Sequence, residues 1–199
     1  MSSTTDGRPS LRERKKAKTR AAIQTHALRL FRNQGYDETT VEQIIDAAEV
    51  SETTFFRYFP TKEDVVLQDD NDPILVETIL SQPIETKPIE ALRNAFRAFF
   101  TSLSSDEVNE QRERIALILS VPKLRARMFD QFIEAMHLLA DAIADRTQRS
   151  RKDLEIRMFS GAVIGLGMVL METLVDDPNA DLSELIDVAV AKLESGISL

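Results

Sequence analysis

The stretch TTVEQIIDAAEVSETTFFRYFPTKED, residues 39–64, decides the fold. Thr39 stands three residues before Glu42 and Thr40 three before Gln43, so each threonine has the spacing of a capping box at a helix start. Val41, Ile44, Ile45 and Ala48 follow as an apolar stripe of helical period. Only Glu49 and Val50 then intervene before Ser51, which caps a third helix carrying Phe55 and Phe59 at i, i+4. Pro60 ends that helix. Thr61 caps a fourth, whose opening Lys62-Glu63-Asp64 places acids in the first turn, where the helix dipole favours them.

Two short helices joined by a tight turn, the second burying two phenylalanines and exposing polar residues, have the proportions of a helix-turn-helix. In that geometry the second helix enters the major groove of DNA and the first lies across the backbone. Ser51, Glu52, Thr53, Thr54, Phe56 and Arg57 are then the side chains available to DNA, since the other helical positions serve the core. A threonine offers a methyl to thymine or a hydroxyl to a phosphate, and Arg57 reaches guanine or phosphate oxygens. Glu52 can only accept, so it either takes a cytosine amino proton or weakens binding.

The run Gly35-Tyr36-Asp37-Glu38-Thr39-Thr40-Val41, then Ile44, Ala47-Ala48-Glu49-Val50-Ser51 and Thr54 to Asp64, resembles the DNA-binding domain of the TetR (tetracycline repressor) family, in spacing as well as residue type, from Thr19 to Leu67. The resemblance implies a homodimeric, ligand-responsive transcriptional regulator, usually a repressor. It carries phosphate contacts onto Thr40, Tyr58, Lys62 and the basic start of helix one, and groove-facing positions onto Ser51, Glu52, Thr53, Thr54 and Phe56. A cation at the amino end of a helix needs an anion to offset the dipole, and for Lys62 a phosphate would serve. The family often has Gly where this chain has Glu49, and a non-Gly residue at positive φ there costs on the order of 1 kcal/mol.

Upstream, residues 11–33 are rich in Ala, Lys, Arg and Leu, with Ile23, Ala27, Leu30 and Phe31 on one helical face and Gly35 as the stop. The chain of 199 residues has a net charge of −8, yet residues 1–62 hold eleven Lys or Arg against eight Asp or Glu. Arg8, Arg12, Arg14, Lys15, Lys16, Lys18 and Arg20 face only Glu13. A basic arm on an acidic protein points to a polyanion at that end, or equally to a solvated terminus.

Downstream, helices are expected over residues 89–103, 107–119, 123–146, 152–175 and 182–194, with breaks at 69–73, 83–88 and 104–106, and with Pro178 in the last connection. No run reads as a strand. The expected fold is all-α, with an amino-terminal helix-turn-helix domain over 1–62 and a larger ligand-binding and dimerisation bundle over 63–199. Within the bundle Phe96, Phe99, Phe100, Met128, Phe132, Met136, Phe159 and Met168 are candidates to line an adaptable pocket for a mostly apolar ligand, or to be plain core. Residues 111–122 are similar to a subset of actinobacterial regulators, among them acyl-CoA-responsive regulators of mycofactocin clusters. Arg112, Arg114, Arg125 and Arg127 would then meet an anionic head group, or else pair with Glu110, Glu113 or Asp130.

The charge-free run from Met158 to Met171 is shorter than the roughly 18–20 residues of a membrane span, so a buried helix is expected there. Gly161, Gly165 and Gly167 would let a second backbone approach, and the resemblance places residues 160–174 and 182–193 in a four-helix dimer interface, the alternative being a central helix of a monomer. The polar first ten residues lack a secretory signal, which gives a cytoplasmic expectation.

No catalytic constellation is legible. The chain has no Cys, its two histidines, His26 and His137, are far apart, and it has neither a Gly-rich phosphate loop nor a Gly-x-Ser-x-Gly elbow. No enzyme activity, cofactor or metal is expected. The expected partners are double-stranded operator DNA, a small-molecule inducer and a second copy of the chain, with no membrane. The alternative is a helical interaction protein whose basic arm binds an acidic partner without reading DNA sequence.

Overall fold

The computed structural model describes residues 10–68, 78–79, 81–177 and 179–196. All regular structure among them is helical. The chain divides into two compact units, Met1–Gln68 and Asp69–Leu199. Arg8, the expected break at 69–73 and Pro178 lie outside the described residues.

The first unit comprises α1 (Leu11–Gln34), α2 (Val41–Ala47), α3 (Glu52–Tyr58) and α4 (Lys62–Leu67). Ile23, Ala27 and Phe31 on one face of α1, Ile44, Phe55, Phe59 and the Val65, Val66 and Leu67 side of α4 are all buried, and α1 packs against α2 and α4. Burying each of the Ile, Phe, Val and Leu side chains is worth about 1.5–3 kcal/mol, which is what holds helices this short in place. The division falls after Gln68, not at the expected 62/63 boundary. The reason is packing: Val65, Val66 and Leu67 are buried, and the Gln24 amide on α1 donates to the carbonyls of Val65 (3.2 Å) and Gln68 (2.9 Å).

The second unit comprises α5 (Pro88–Ser102), α6 (Ser105–Ser120), α7 (Pro122–Thr147), α8 (Leu154–Asp176) and α9 (Leu182–Ser195). Pro88 and Pro122 open α5 and α7, where a missing N–H costs nothing. Ser104 forms a capping box with Glu107, and Asp153 and Asp181 cap α8 and α9. The main core joins Leu92 and Ala95 of α5, Leu139 and Ile143 of α7, and Ile156 and Val163 of α8. A second cluster closes on α9 through Leu170, Ile186 and Val190.

The expectation that α8 is buried holds for one face only. Ile156, Ser160, Val163, Leu170 and Leu174 point inward, whereas Leu154, Met158 and Val169 are 65%, 64% and 57% exposed. Its length also corrects the argument from the charge-free run. The helix extends over 23 residues and is long and apolar enough, by length and composition alone, to cross a bilayer. Its contacts with α6, α7 and α9 make it a bundle helix.

Candidate nucleic-acid interface and bundle cleft

The turn between α2 and α3 is a Schellman motif. The Glu49 N–H bonds to the Asp46 carbonyl at 3.2 Å and the Val50 N–H to the Ile45 carbonyl at 3.2 Å, satisfying two carbonyls at the end of α2. Glu49 occupies the left-handed position at φ 53°, the place where glycine is unstrained. The expected turn geometry thus forms without glycine.

On α3 the Ser51 hydroxyl accepts from the Thr54 N–H at 3.2 Å and donates to the Thr54 hydroxyl at 2.9 Å, so both are engaged in the cap. Phe55 is buried at the root of the helix, with its ring 6.2 Å from that of Phe59. This anchoring turns Glu52, Thr53, Phe56 and Arg57 outward; all four are exposed. Glu52 and Thr53 form no hydrogen bond or ion pair among the described residues. The Phe56 ring is 44% exposed and stands edge-on to Phe55. The Arg57 guanidinium lies 5.2 Å from the ring centroid of half-buried Tyr58.

Of the two possible caps on α2, Thr40 is the one used. Its hydroxyl accepts from the Gln43 N–H (3.3 Å), and the Gln43 side chain accepts from the Thr40 N–H (2.9 Å). Thr39 is instead buried and donates its hydroxyl to the Gly35 carbonyl at 2.7 Å. Thr40 remains exposed at the amino end of α2. The Glu42 carboxylate is held below its ordinary pKa by its own backbone N–H and then by the Thr40 hydroxyl. Along the start of α1, Arg12, Arg14, Lys15, Lys16 and Lys18 are exposed.

Lys62, expected to contact a phosphate, also has partners within its own unit. Its ammonium donates to the carbonyls of Tyr36 (2.9 Å) and Thr39 (3.0 Å) and lies 4.2 Å from the Tyr36 ring centroid. The compensation that a cation needs at the start of α4 comes from these groups. Sequence spacing had no means of pairing residues 23 and 26 positions apart.

In the second unit the proposed pocket residues do not converge. Phe96 and Phe100 stack at 6.4 Å and pack toward α9, and Phe99 stands edge-on to Phe100. Met128 is buried, Phe132 and Met136 are half-buried, and Met136 abuts Gly161. Met168 is 38% exposed on the outward side of α8, so it lines no interior. Only Phe159 borders the open cleft of about 380 Å³ found between the starts of α5 and α8 and the end of α7. Its apolar floor is Pro88, Ile89, Ile143, Ile156 and Phe159, with Lys87, Thr147, Arg149 and Glu155 at its polar edge. No local pattern in the sequence marks these residues, because three separate helix ends assemble the cleft. One turn beyond Ile156 on the inward face, the Ser160 hydroxyl is fully buried with no hydrogen-bond partner among the described residues.

The arginines near residues 111–127 are also partly spent on the fold. Arg112 donates to the Leu174 carbonyl (2.9 Å) and to Asn109 (3.0 Å), tying α6 to α8, and Arg125 reaches the Leu119 carbonyl at 3.4 Å. The Arg29 guanidinium lies 3.2 Å from Nδ1 of His26, a polar partner within α1. Among the described residues no cluster of His, Cys, Asp and Glu could hold a metal ion.

The pattern of the bacterial regulatory proteins of the tetR family matches residues 23–68, and that of the MftR C-terminal domain matches residues 86–198. The chain is 41% identical over 108 residues to the transcriptional regulator TcmR of Streptomyces glaucescens, covering 53% of this chain and 47% of TcmR. The chain therefore spans about half the length of that relative. It is 24% identical over 187 residues to a Mycobacterium tuberculosis protein named for the regulation of mycofactocin biosynthesis, MftR, covering 92% and 93% of the two chains. Its fold is similar to that of FadR from Thermus thermophilus, a TetR family transcriptional repressor solved with lauroyl-CoA. That match has a TM-score of 0.55 and 25% identity, over 90% of this chain and 95% of that one. A helix-turn-helix unit matching the one pattern, and a carboxy-terminal bundle matching the other over more than half of the sequence, establish that this chain belongs to the TetR family of bacterial regulatory proteins.

Proposed function

We propose that this protein is a cytoplasmic, non-enzymatic, sequence-specific DNA-binding regulator that acts as a homodimer and represses transcription until a mostly apolar small molecule releases it from its operator. The observation that carries this reading is the outward face of α3. Glu52, Thr53, Phe56 and Arg57 stand exposed on a helix anchored by buried Phe55 and Phe59, and the side chains of the first two form no hydrogen bond or ion pair among the described residues. Base edges supply the missing partners: a cytosine amino group for Glu52, a thymine methyl for Phe56 or Thr53, and guanine for Arg57. Thr40, Tyr58 and the exposed cations of α1 contact phosphates and set the register, while Ser51 and Thr54 hold the start of the reading helix.

The dimer is supported by α8, whose outward Leu154, Met158 and Val169 need cover in water. The ligand site is the cleft between α5, α7 and α8, whose apolar floor and exposed Lys87 suit an amphipathic molecule with an anionic group. Crystallisation of FadR with lauroyl-CoA supports that chemistry. Release requires the ligand to bind the DNA-incompetent arrangement more tightly, and linkage then makes DNA weaken the ligand by the same factor.

The test is a titration of acyl and aromatic ligands against the protein with and without a duplex selected from a random library. The expected result is sequence-selective, salt-dependent DNA binding, together with a ligand whose affinity falls when the duplex is present. Salt-dependent binding without any sequence preference would instead identify a basic arm that binds polyanions.

A further inference from the structure

We propose that Ser160 is the polar recognition point of the bundle cleft: its buried hydroxyl donates to a carbonyl oxygen carried partway along the apolar part of the ligand. The proposal rests on the reading of that cleft as the ligand site and deepens it, because it selects an internally oxygenated chain over a plain hydrocarbon one.

Ser160 stands on the inward face of α8, one turn beyond Ile156 and next to Phe159 in the chain, both residues of the cleft floor. That turn amounts to about 6 Å of helix rise. Ser160 is fully buried, and its Oγ has no hydrogen-bond partner among the described residues. Ile156 and Val163 flank it on the same face, and with Leu139, Ala140 and Ile143 of α7 they belong to one core whose side chains carry no polar atom.

Three other helical hydroxyls of the unit are spent on their own backbone. Thr147 donates to the Ile143 carbonyl at 2.7 Å, Thr173 to the Val169 carbonyl at 2.9 Å and Ser102 to the Phe99 carbonyl at 2.7 Å. Ser160 has the carbonyls of Ile156 and Arg157 at the same spacings and bonds to neither. Its hydroxyl is turned off the helix backbone. An unpaired hydroxyl in an apolar core carries its full desolvation penalty, and alanine would avoid that penalty and favour the helix. A buried water is poorly served there, since it needs about two to four polar partners and the side chains of this core supply none.

A ligand entering from the cleft brings the missing partner. A carbonyl suits the place better than an alcohol: it accepts the Ser160 hydrogen and adds no donor, whereas an alcohol would bring a second hydroxyl hydrogen into the same apolar surroundings. Reaching Ser160 requires the side chains of Ile156 and Phe159 to part, and both are held by packing alone. The anionic end of the ligand stays at the cleft edge, where Lys87 is exposed.

The experiment uses the full-length protein and its Ser160→Ala variant. The probes are dodecanoate and a series of oxo-dodecanoates that differ only in the position of the ketone, each below its micelle-forming concentration. Calorimetric titration gives affinities, thermal melting gives the stability of the ligand-free proteins, and the infrared stretch of an isotope-labelled ketone reads hydrogen bonding in the complex. In the wild type one ketone position should bind about tenfold more tightly than the rest of the series, with its stretch moved to lower frequency. Ser160→Ala should keep dodecanoate binding and lower the affinity of that oxo acid relative to dodecanoate by about tenfold, because a buried acceptor is left unpaired. Without ligand, Ser160→Ala should melt about 2–4 °C higher than the wild type.

No preferred ketone position, a bound ketone whose stretch is that of an unbonded carbonyl, or a preference that survives in Ser160→Ala each overturns the proposal. So does a ligand-free variant that melts no higher than the wild type or fails to fold, since the hydroxyl would then already have a partner in the core. If neither dodecanoate nor any oxo acid binds the wild type, the reading of the cleft falls and this proposal with it, whereas the other outcomes leave that reading standing.

Discussion

The Met136 sulfur on α7 lies 3.8 Å from where a β-carbon on Gly161 of α8 would stand, so Gly161 faces its own bundle at ordinary contact distance. Four residues on, a β-carbon at Gly165 would meet nothing within 4 Å, and Gly165 is exposed. One face of α8 thus carries two glycines with different surroundings.

The first prediction follows from that difference. Gly165→Leu should weaken the dimer while leaving the folded chain intact, because the new side chain enters space that only a second copy would occupy. Gly161→Ala should shift stability by less than about 0.5 kcal/mol. Sedimentation velocity across micromolar concentrations checks both. A wild type that sediments as a monomer there would remove the dimer from the proposed function.

Glu49 supplies a second test. Its φ of 53° in the Schellman turn carries a strain of about 1 kcal/mol that glycine would relieve, offset in part by the greater freedom of glycine in the unfolded chain. Glu49→Gly should therefore stabilise the first unit by roughly 0.5 kcal/mol, and Glu49→Val should destabilise it by more than about 1 kcal/mol. The chain has no Trp, and its two tyrosines, Tyr36 and Tyr58, both lie in this unit. Tyrosine fluorescence in a urea titration consequently reports on it alone.

Reading and positioning should separate by mutation. On the proposed reading Tyr58→Phe would remove a phosphate hydrogen bond and no charge, so it should lower affinity for every duplex by one factor and leave the salt slope unchanged. Thr53→Ala should instead reorder preference among duplexes. Replacing thymine by deoxyuridine should weaken binding at the position that meets Phe56, and Phe56→Ala should abolish that sensitivity. Competition among variants of a selected duplex measures all of these, and an equal loss for every sequence with Thr53→Ala would contradict the division of roles.

Acid should loosen the caps of the second unit. The Glu107 carboxylate is held below its ordinary pKa first by the Ser104 N–H (2.8 Å) and then by the Ser104 hydroxyl (2.7 Å). Asp153 is held down chiefly by its hydrogen bond from Arg149. A depressed folded value means that the stabilisation is complete above the unfolded carboxylate pKa and is lost as pH falls through the folded one. Ser104→Ala removes the hydroxyl and leaves the backbone bond, so the Glu107 pKa should rise part of the way to its ordinary value. Carbon-detected resonance titration of the glutamate carboxyls reads this directly.

The sequence by itself determined the order of helices, their caps and the helix-turn-helix. Thr40 with Gln43, Ser51 with Thr54 and Thr61 with Asp64 are each three residues apart, and Gly35, Pro60, Pro88 and Pro122 act on the backbone where they stand. Such bonds are closed by local geometry, so spacing alone reveals them. Even the outward residues of α3 follow from which positions the core consumes. The tertiary structure decided where Lys62 spends its charge, that α4 belongs with α1 through Gln24, that Met168 faces outward and that Arg112 serves the Leu174 carbonyl. It also assembled the cleft from three helix ends distant along the chain. A hydrogen bond or a wall between segments tens of residues apart depends on how the helices cross, and no periodicity within one helix encodes that crossing.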